Sequence, residues 1–419
     1  MENIFSFLEK WNFWGQRPDT GVVRRQYIAQ LDRFFNIPEI VVLTGVRRSG
    51  KSTILMQLIE YAHKKYEIPY KNFLYVNFED PNFSRPVKTE EVYALIDFYK
   101  KEIKPKGKIY IFFDEAQEVL NWQRILLAHY EQKQDIKFFV TGSSSELFDS
   151  RQSTLLSGRT VNVKVAPLDF KEFLLFKKAK KTPTKIYGLL KEYMQYGGFP
   201  RVVLEDSALN KAAILSSYYN TILEKDIIVK FDIRKDLELR NLARYLMSNN
   251  GAIASSVNLE KSLRVSSPSI ISYMNFMKSS FLIHLNNLFS YSVKQQIYNP
   301  PKMYSVDTGL ANIAGFNFAL NSGLMLESLV NSVLYKNNRD VCYWKNEVEV
   351  DFVTNNVGEV NLYNVTTTVD DDTVFEREIR SLEEGAKKLK AKNTTLLTLY
   401  NNTKRKDPRI VNLLDFLLD

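Results

Sequence analysis

The sequence predicts an α/β fold: a parallel sheet carrying an anion-binding turn, then a mainly helical region, then a second α/β region. Three observations predict it. The run IVVLTG from Ile40 is apolar and β-branched, so it reads as a buried strand, and a glycine-rich turn and a helically spaced stretch follow it. A second apolar run, KIYIFFDEAQEV (Lys108–Val119), carries Asp114-Glu115 at its end. Two more runs, NFLYVNFED and DIKFFVTGSSSEL, also end in polar residues, as expected where the carboxyl ends of parallel strands gather around a ligand.

The turn is Gly45-Val46-Arg47-Arg48-Ser49-Gly50-Lys51-Ser52, with Thr53 next. Gly45 and Gly50 let the backbone curl so that successive N–H groups point at one anion. The following helix, KSTILMQLIEYAHKK, places Ile54, Leu55, Leu58 and Tyr61 on one face, and its N-terminus adds favourable partial positive charge. This spacing implies a nucleotide triphosphate, ATP or its product ADP, with Mg2+. Lys51 would reach the β- and γ-phosphates, and the Ser52 hydroxyl would ligate magnesium. Asp114 would hold the same ion through its water shell, and Glu115 would orient the attacking water. Thr141-Gly142-Ser143 ends the third run, where Ser143 reads either as a γ-phosphate sensor or as part of a turn.

The remaining sequence divides by pattern. From Leu168 the segments DFKEFLLFKKAKK, KIYGLLKEYMQY and LNKAAILSSYYNTILEKDIIVKF are helical. Three further helical stretches end in SPSIISYMNFMKSS, where Ser267 is expected as N-cap and Pro268 in the first turn. Alternation and a turn in LIHLNNLFSYSVKQQIYNPPKMYSV suggest a β-hairpin. Three helices and a hairpin make a winged helix, with Ser269–Lys278 as its recognition helix. Ile270, Ile271, Tyr273, Met274, Phe276 and Met277 make much of that helix core. Ser269, Ser272, Asn275, Lys278 and Ser279 remain to face a groove.

The net charge is +9. From Lys261 to Val306 there is no acid, while Lys261, Arg264, Lys278, Lys294 and Lys302 are present. Such a local bias suits contact with DNA as well as a solvated face. Hydrophobic residues at 45% and charged ones at 25% describe a globular chain. With 419 residues, two or three domains are expected. No apolar run reaches membrane-spanning length, and the N-terminus lacks a basic region followed by an apolar stretch. The single cysteine, Cys342, forms no internal disulfide, and with three histidines it assembles no structural zinc site. The cytoplasm is the expected compartment, with no membrane partner.

Taken together, TGVRRSGKST, LYVNFED, IFFDEAQEVLNWQRIL, VTGSSSELF, LLSGRTV, APLDFKEFL and YGGFPRVVL resemble, in order, the AAA+ ATPases of archaea and bacteria that carry a C-terminal domain of unknown function. The resemblance implies an ASCE-type P-loop core with strand order 5-1-4-3-2 over residues 1–167, a helical lid over 168–235, the winged helix over 236–310, and a restriction-endonuclease-like domain over 311–419. It implies roles as well. Ser143 matches the sensor residue, and Asn77 an asparagine that can hold the catalytic glutamate, here Glu115, away from water. Arg159 matches either an arginine finger offered to a neighbouring subunit in a homo-oligomer, or an ion pair at the core edge. Gly197-Gly198-Phe199-Pro200 resembles the glycine-x-proline of signal-transduction ATPases, whose proline packs beside the base.

In the endonuclease-like region, Glu327 and Asp351 match two of that fold's metal-binding carboxylates. Its Glu-x-Lys falls on Asn364-Val365-Thr366, so a ligand and the lysine are missing, and the region is expected to be inactive as a nuclease. The leading expectation is an ATPase that acts on or recognises DNA through Lys261, Arg264, Lys278 and Lys294. The alternatives are a signal-transduction nucleotide switch, whose winged helix would contact no DNA, and a metal-dependent nuclease.

Overall fold

The computed structural model describes residues 8–15, 17–132, 135–143, 153–179, 182–315, 322–337, 340–356 and 358–419. The Ser-rich stretch 144–152, just past the expected sensor, lies outside the described residues. The chain divides into two compact units, Met1–Val165 and Ala166–Asp419.

In the first unit, five strands form one sheet: β1 (Ile40–Thr44), β2 (Phe73–Asn77), β3 (Ile109–Asp114), β4 (Ile136–Gly142) and β5 (Thr160–Lys164). The order is β2-β3-β4-β1-β5 and every pairing is parallel, so the expected order holds. Strands β1 to β4 read as continuous apolar runs because both faces are covered, while the edge strand β5, TVNVK, is more exposed. Val42, Val76, Ile111, Phe113 and Val140 enter one core, and Val41, Leu43, Tyr75, Phe112 and Phe139 the other. The helix Lys51–Tyr66 packs Ile54, Leu55, Leu58 and Ile59 into the second of these. Parallel strands bring the carboxyl ends of β1, β2, β3 and β4 to one edge, which is where the polar residues lie.

The second unit begins with helices, including Phe170–Phe176, Pro183–Tyr196 and Ala208–Thr221. Three more follow: Asp236–Ser248, Ser256–Leu263 and Ser267–Ser279. The N-cap of the last is Ser266, whose hydroxyl accepts from the Ser269 N–H, one residue earlier than expected. Strands β6 (Ile283–Asn286) and β7 (Lys302–Ser305) pair antiparallel. They are not joined by a tight turn. Residues 287–301 lie between them and carry a helical turn, Val293–Tyr298. Asn287 and Phe289 hydrogen-bond to Tyr343, so the start of the connection is bound rather than free. The third region is a sheet of β8 (Val341–Lys345), β9 (Glu349–Asn356), β10 (Glu359–Thr368), β11 (Asn393–Tyr400) and β12 (Ile410–Asn412). Its order is β12-β11-β10-β9-β8, antiparallel from β8 to β10 and parallel from β10 to β12. The helix Asp372–Leu389 crosses over between β10 and β11 and is N-capped by Asp371. Among the described residues, no helix is long and apolar enough to cross a membrane.

Candidate functional site

The turn after β1 has the backbone its glycines require. Gly45 has φ +146, and a Cβ there would sit 2.0 Å from the Val165 carbonyl oxygen. Gly50 is left-handed at φ 98 and caps the helix that starts at Lys51. Arg48 is also left-handed, at φ 70, and is exposed along with Thr53. Val46, Arg47, Ser49 and Lys51 are buried. Arg24 braces the loop from outside by donating to the Ser49 carbonyl at 2.9 Å.

The site residues from four strand ends converge here. The Lys51 ammonium donates to the Gly45 and Val46 carbonyls, at 3.0 and 3.2 Å. Asp114 accepts from the Tyr75 hydroxyl at 2.7 Å and from the Thr141 hydroxyl. Burial, then Asp114, pushes the Tyr75 phenol well above its ordinary range, so Tyr75 stays a donor. The Tyr75 hydroxyl also interacts with Ser52, so the two expected magnesium ligands, Ser52 and Asp114, share one neighbour. Glu115 sits at φ 53, its N–H bonded to the Thr141 hydroxyl at 2.9 Å. Burial lifts its carboxyl, against the charge of Lys51, while Asp114 lifts it further. A buried carboxylate facing the loop lysine suits a group that orients and polarises water.

Other expected residues are placed as follows. Ser143 is buried one residue beyond β4. Asn77 lies beside Asp114 in register, but its side-chain oxygen accepts from the Glu79 N–H at 2.9 Å. The side chain bonded to Glu115 is Gln117, at 2.6 Å. Arg47 pairs with Glu79 at 2.6 Å. Arg159 lies just before β5, with its carbonyl bonded to the Ile40 N–H, so it stands at the amino end of β1, opposite the loop. Its guanidinium pairs with Glu131 at 3.5 Å. The four residue steps from Ile40 to Thr44 span about 13 Å, beyond an arginine's reach to its own loop. Pro200 opens the short helix Pro200–Val203 in the second unit. There Gly197 and Gly198 pack against Asp307, which accepts from the Gly198 N–H at 2.7 Å.

Sequence reasoning missed Tyr75, Gln117, Thr141 and Arg24. Gln117 was visible as the glutamine two residues past the acidic pair, and Thr141 as a hydroxyl in an apolar strand. Tyr75 reads in sequence as an ordinary strand residue.

A nucleotide with magnesium fits these residues. The Ser49 hydroxyl is buried without a hydrogen-bond partner inside the loop, and the loop approaches β5 too closely for any side chain at Gly45. A divalent metal does not fit the mixed-sheet region where Glu327 and Asp351 were expected to hold one. Asn364 falls beside Asp351 as expected, its oxygen accepting from the Asp351 N–H at 3.2 Å. The Asp351 carboxylate is already bonded to the Val365 N–H and to Lys302, and Glu327 to the Tyr304 hydroxyl. No acidic, histidine or cysteine cluster among the described residues is arranged to hold a metal.

The expected DNA-facing residues are exposed. Lys261, Arg264, Lys278 and Lys294 all reach solvent, and none makes an ion pair among the described residues. Lys302 is different: it is buried and paired. In the helix Ser267–Ser279, Ile270, Tyr273, Met274 and Met277 are buried, but Ile271 is 47% exposed, so it belongs to the outer face with Ser272, Asn275 and Lys278.

Comparison with known proteins gives two matching family models, an AAA domain over residues 38–174 and a domain of unknown function, DUF8612, over 187–321. Uncharacterized protein MJ1544 of Methanocaldococcus jannaschii is 33% identical over 383 residues, covering 87% of this chain and 82% of its own. An uncharacterized protein of Haemophilus influenzae is 29% identical over 405 residues, covering 95% and 98%. Among solved structures, the Aeropyrum pernix ORC1 protein in complex with DNA aligns over 73% of this chain and 95% of its own, at 11% identity and a TM-score of 0.35. A signal-transduction ATPase with numerous domains from Pyrococcus horikoshii covers 77% and 46%, at 13% identity and a TM-score of 0.27. Scores of that size carry no functional weight.

Proposed function

Because the chain belongs to one family with MJ1544 of Methanocaldococcus jannaschii and carries an AAA domain over residues 38–174, we propose that it binds ATP with Mg2+ at Gly45–Thr53 and hydrolyses it. One observation carries the reading: Thr141 holds both Asp114 and the backbone of Glu115 at the mouth of the loop, with the Lys51 charge acting on Glu115. The backbone N–H groups from Val46 to Thr53 would cradle the phosphates. Lys51 would leave the Gly45 and Val46 carbonyls for the β- and γ-phosphates. Ser52 and Asp114 would hold magnesium, which supplies charge compensation at the transferring phosphoryl group. Glu115 would orient water for in-line attack once released from Gln117. Ser143 would sense the γ-phosphate, Asn77 would steady the strand end beside Asp114, and Pro200 would lie by the base.

Arg159 is proposed as a finger for a neighbouring subunit of a homo-oligomer, because its place at the far edge of the sheet suits a partner's site and not its own. Residues 168–235, 236–310 and 311–419 are proposed as lid, winged helix and endonuclease-like region. Four exposed basic residues that make no ion pair among the described residues support DNA as the partner on which the ATPase acts: Lys261, Arg264, Lys278 and Lys294. A slow nucleotide switch is the second reading, favoured by Glu115 resting on Gln117 and Lys51 resting on loop carbonyls.

The test is nucleotide binding and turnover, with and without DNA. Lys51→Ala loses a charge-assisted contact to the phosphates, so ATP affinity should fall about 10–100-fold while the melting curve stays cooperative. A folded variant that binds ATP like the parent moves the site elsewhere. Turnover that DNA leaves unchanged would put the switch reading first.

A further inference from the structure

Glu327, Glu349 and Asp351 lie on a helix and a strand of the endonuclease-like region, and a lysine from outside that region reaches into them. Lys302 opens β7 of the hairpin. Its side chain is 5% exposed, and its ammonium lies 2.6 Å from Glu349 Oε1 and 3.3 Å from Asp351 Oδ1. The second Asp351 oxygen accepts from the Val365 N–H at 3.0 Å, and Glu327 Oε2 from the Tyr304 hydroxyl at 3.0 Å. Asn364 occupies the place of the missing ligand and turns its amide to Glu378 and Ser381, at 2.7 and 2.6 Å. Each carboxylate therefore already has a protein donor. A hard divalent cation needs several free oxygens around it.

The charges also balance without metal. Lys302 and Lys345 stand against Glu349 and Asp351. Burial pulls the Lys302 ammonium down, but Asp351, Glu327 and Glu349 outweigh it and raise it, so Lys302 stays charged. The same residues form a joint. Tyr304, one residue past Met303 on the hairpin, bonds Glu327, while Asn286 and Asn250 bond Asn331 and Ser328 of the same helix, at 2.9 and 2.6 Å.

We propose that Lys302 is the permanent cation of this carboxylate centre, standing where the endonuclease resemblance would put a divalent metal, and that it locks the β6–β7 hairpin to the mixed sheet. The endonuclease-like region then works without metal, and its rigidity comes from an ion pair that cannot dissociate from the chain.

The test uses the full chain without nucleotide and Mn2+ as the probe, read by ion binding and by melting. The parent and Asp351→Asn should bind the same amount of Mn2+, and EDTA should not shift the parent's melting temperature. Lys302→Met leaves buried carboxylates uncompensated, so its melting temperature in EDTA should drop by roughly 10 °C. Mn2+ should restore part of that drop and bind as an additional ion that Lys302→Met/Asp351→Asn loses. Parent binding of Mn2+ that disappears in Asp351→Asn overturns the proposal, as does a folded Lys302→Met that gains no ion. If Lys302→Met does not fold in either condition, the comparison of parent with Asp351→Asn decides it alone.

Discussion

Glu115 shows how much chemistry a single residue takes from its surroundings. A strand ending in Asp-Glu is common; what distinguishes this one is the left-handed backbone at Glu115 and the Thr141 hydroxyl that bonds its N–H. The carboxyl is buried, faces Lys51, and is held by Gln117. Glu115→Gln keeps the volume and the amide contact but removes the charge proposed to polarise water. ATP binding should persist while turnover falls about 100-fold or more, measured as single-turnover hydrolysis. A variant that turns over normally would pass the role to another group. Asn77 differs: it was expected to hold Glu115, but its side-chain oxygen accepts from the Glu79 N–H, and Gln117 is the side chain bonded to Glu115.

At the scale of elements, periodicity was a good guide where an element is buried on a definite set of faces. Strands β1 to β4 of the first sheet are continuous apolar runs and form in the expected order, whereas the edge strand β5, TVNVK, is largely half-buried or exposed and carries no such run. The β6–β7 pair was legible as alternation, but not the binding of residues 287–289 to β8, which a local pattern cannot show. The helix carrying Glu327 has a consequence for pH. Glu327 faces Asp351, Lys302, Glu349 and Tyr304, and its carboxyl is raised from 4.5 to about 8, chiefly by burial. A raised folded-state value means that its contribution is fully present below pH 4.5 and is lost as pH climbs through about 8. Glu327→Gln stays neutral and can still accept from Tyr304. Chemical denaturation at pH 5 and pH 8.5 should show the parent losing up to a few kcal/mol more than the variant over that interval. Equal losses would mean that Glu327 does not titrate there.

For the whole molecule, the question is what partner a basic chain engages. The exposed lysines and arginine at positions 261, 264, 278 and 294 lie in a segment free of acids, whereas Lys302 of the same segment is consumed internally. The apolar inner face of the helix Ser267–Ser279 leaves few side chains to read bases, so binding to duplex DNA should be weakly sequence-specific and strongly salt-dependent. Replacing Lys278 and Lys294 with alanine should weaken binding across sequences alike and flatten the salt slope by roughly one to two units. Anisotropy titrations at several salt concentrations measure it, and basal ATPase should be unchanged. No binding by the parent at low salt would remove DNA from the proposal.

The sequence by itself determined four strands of the first sheet, the loop and the positions of Lys51, Ser52, Asp114 and Glu115. A phosphate-binding turn depends on glycines, one lysine and a hydroxyl that are contiguous in the chain, and buried parallel strands announce themselves as apolar runs. Only the tertiary structure decided which groups hold those residues: Tyr75 from β2, Thr141 from β4 and Arg24 from before β1 each come from a different part of the chain. It also decided that Lys302 serves Glu349 and Asp351. A charge in a linear sequence has no direction. Its partner is set by folding, when burial makes an unpaired ammonium or carboxylate too costly to leave alone.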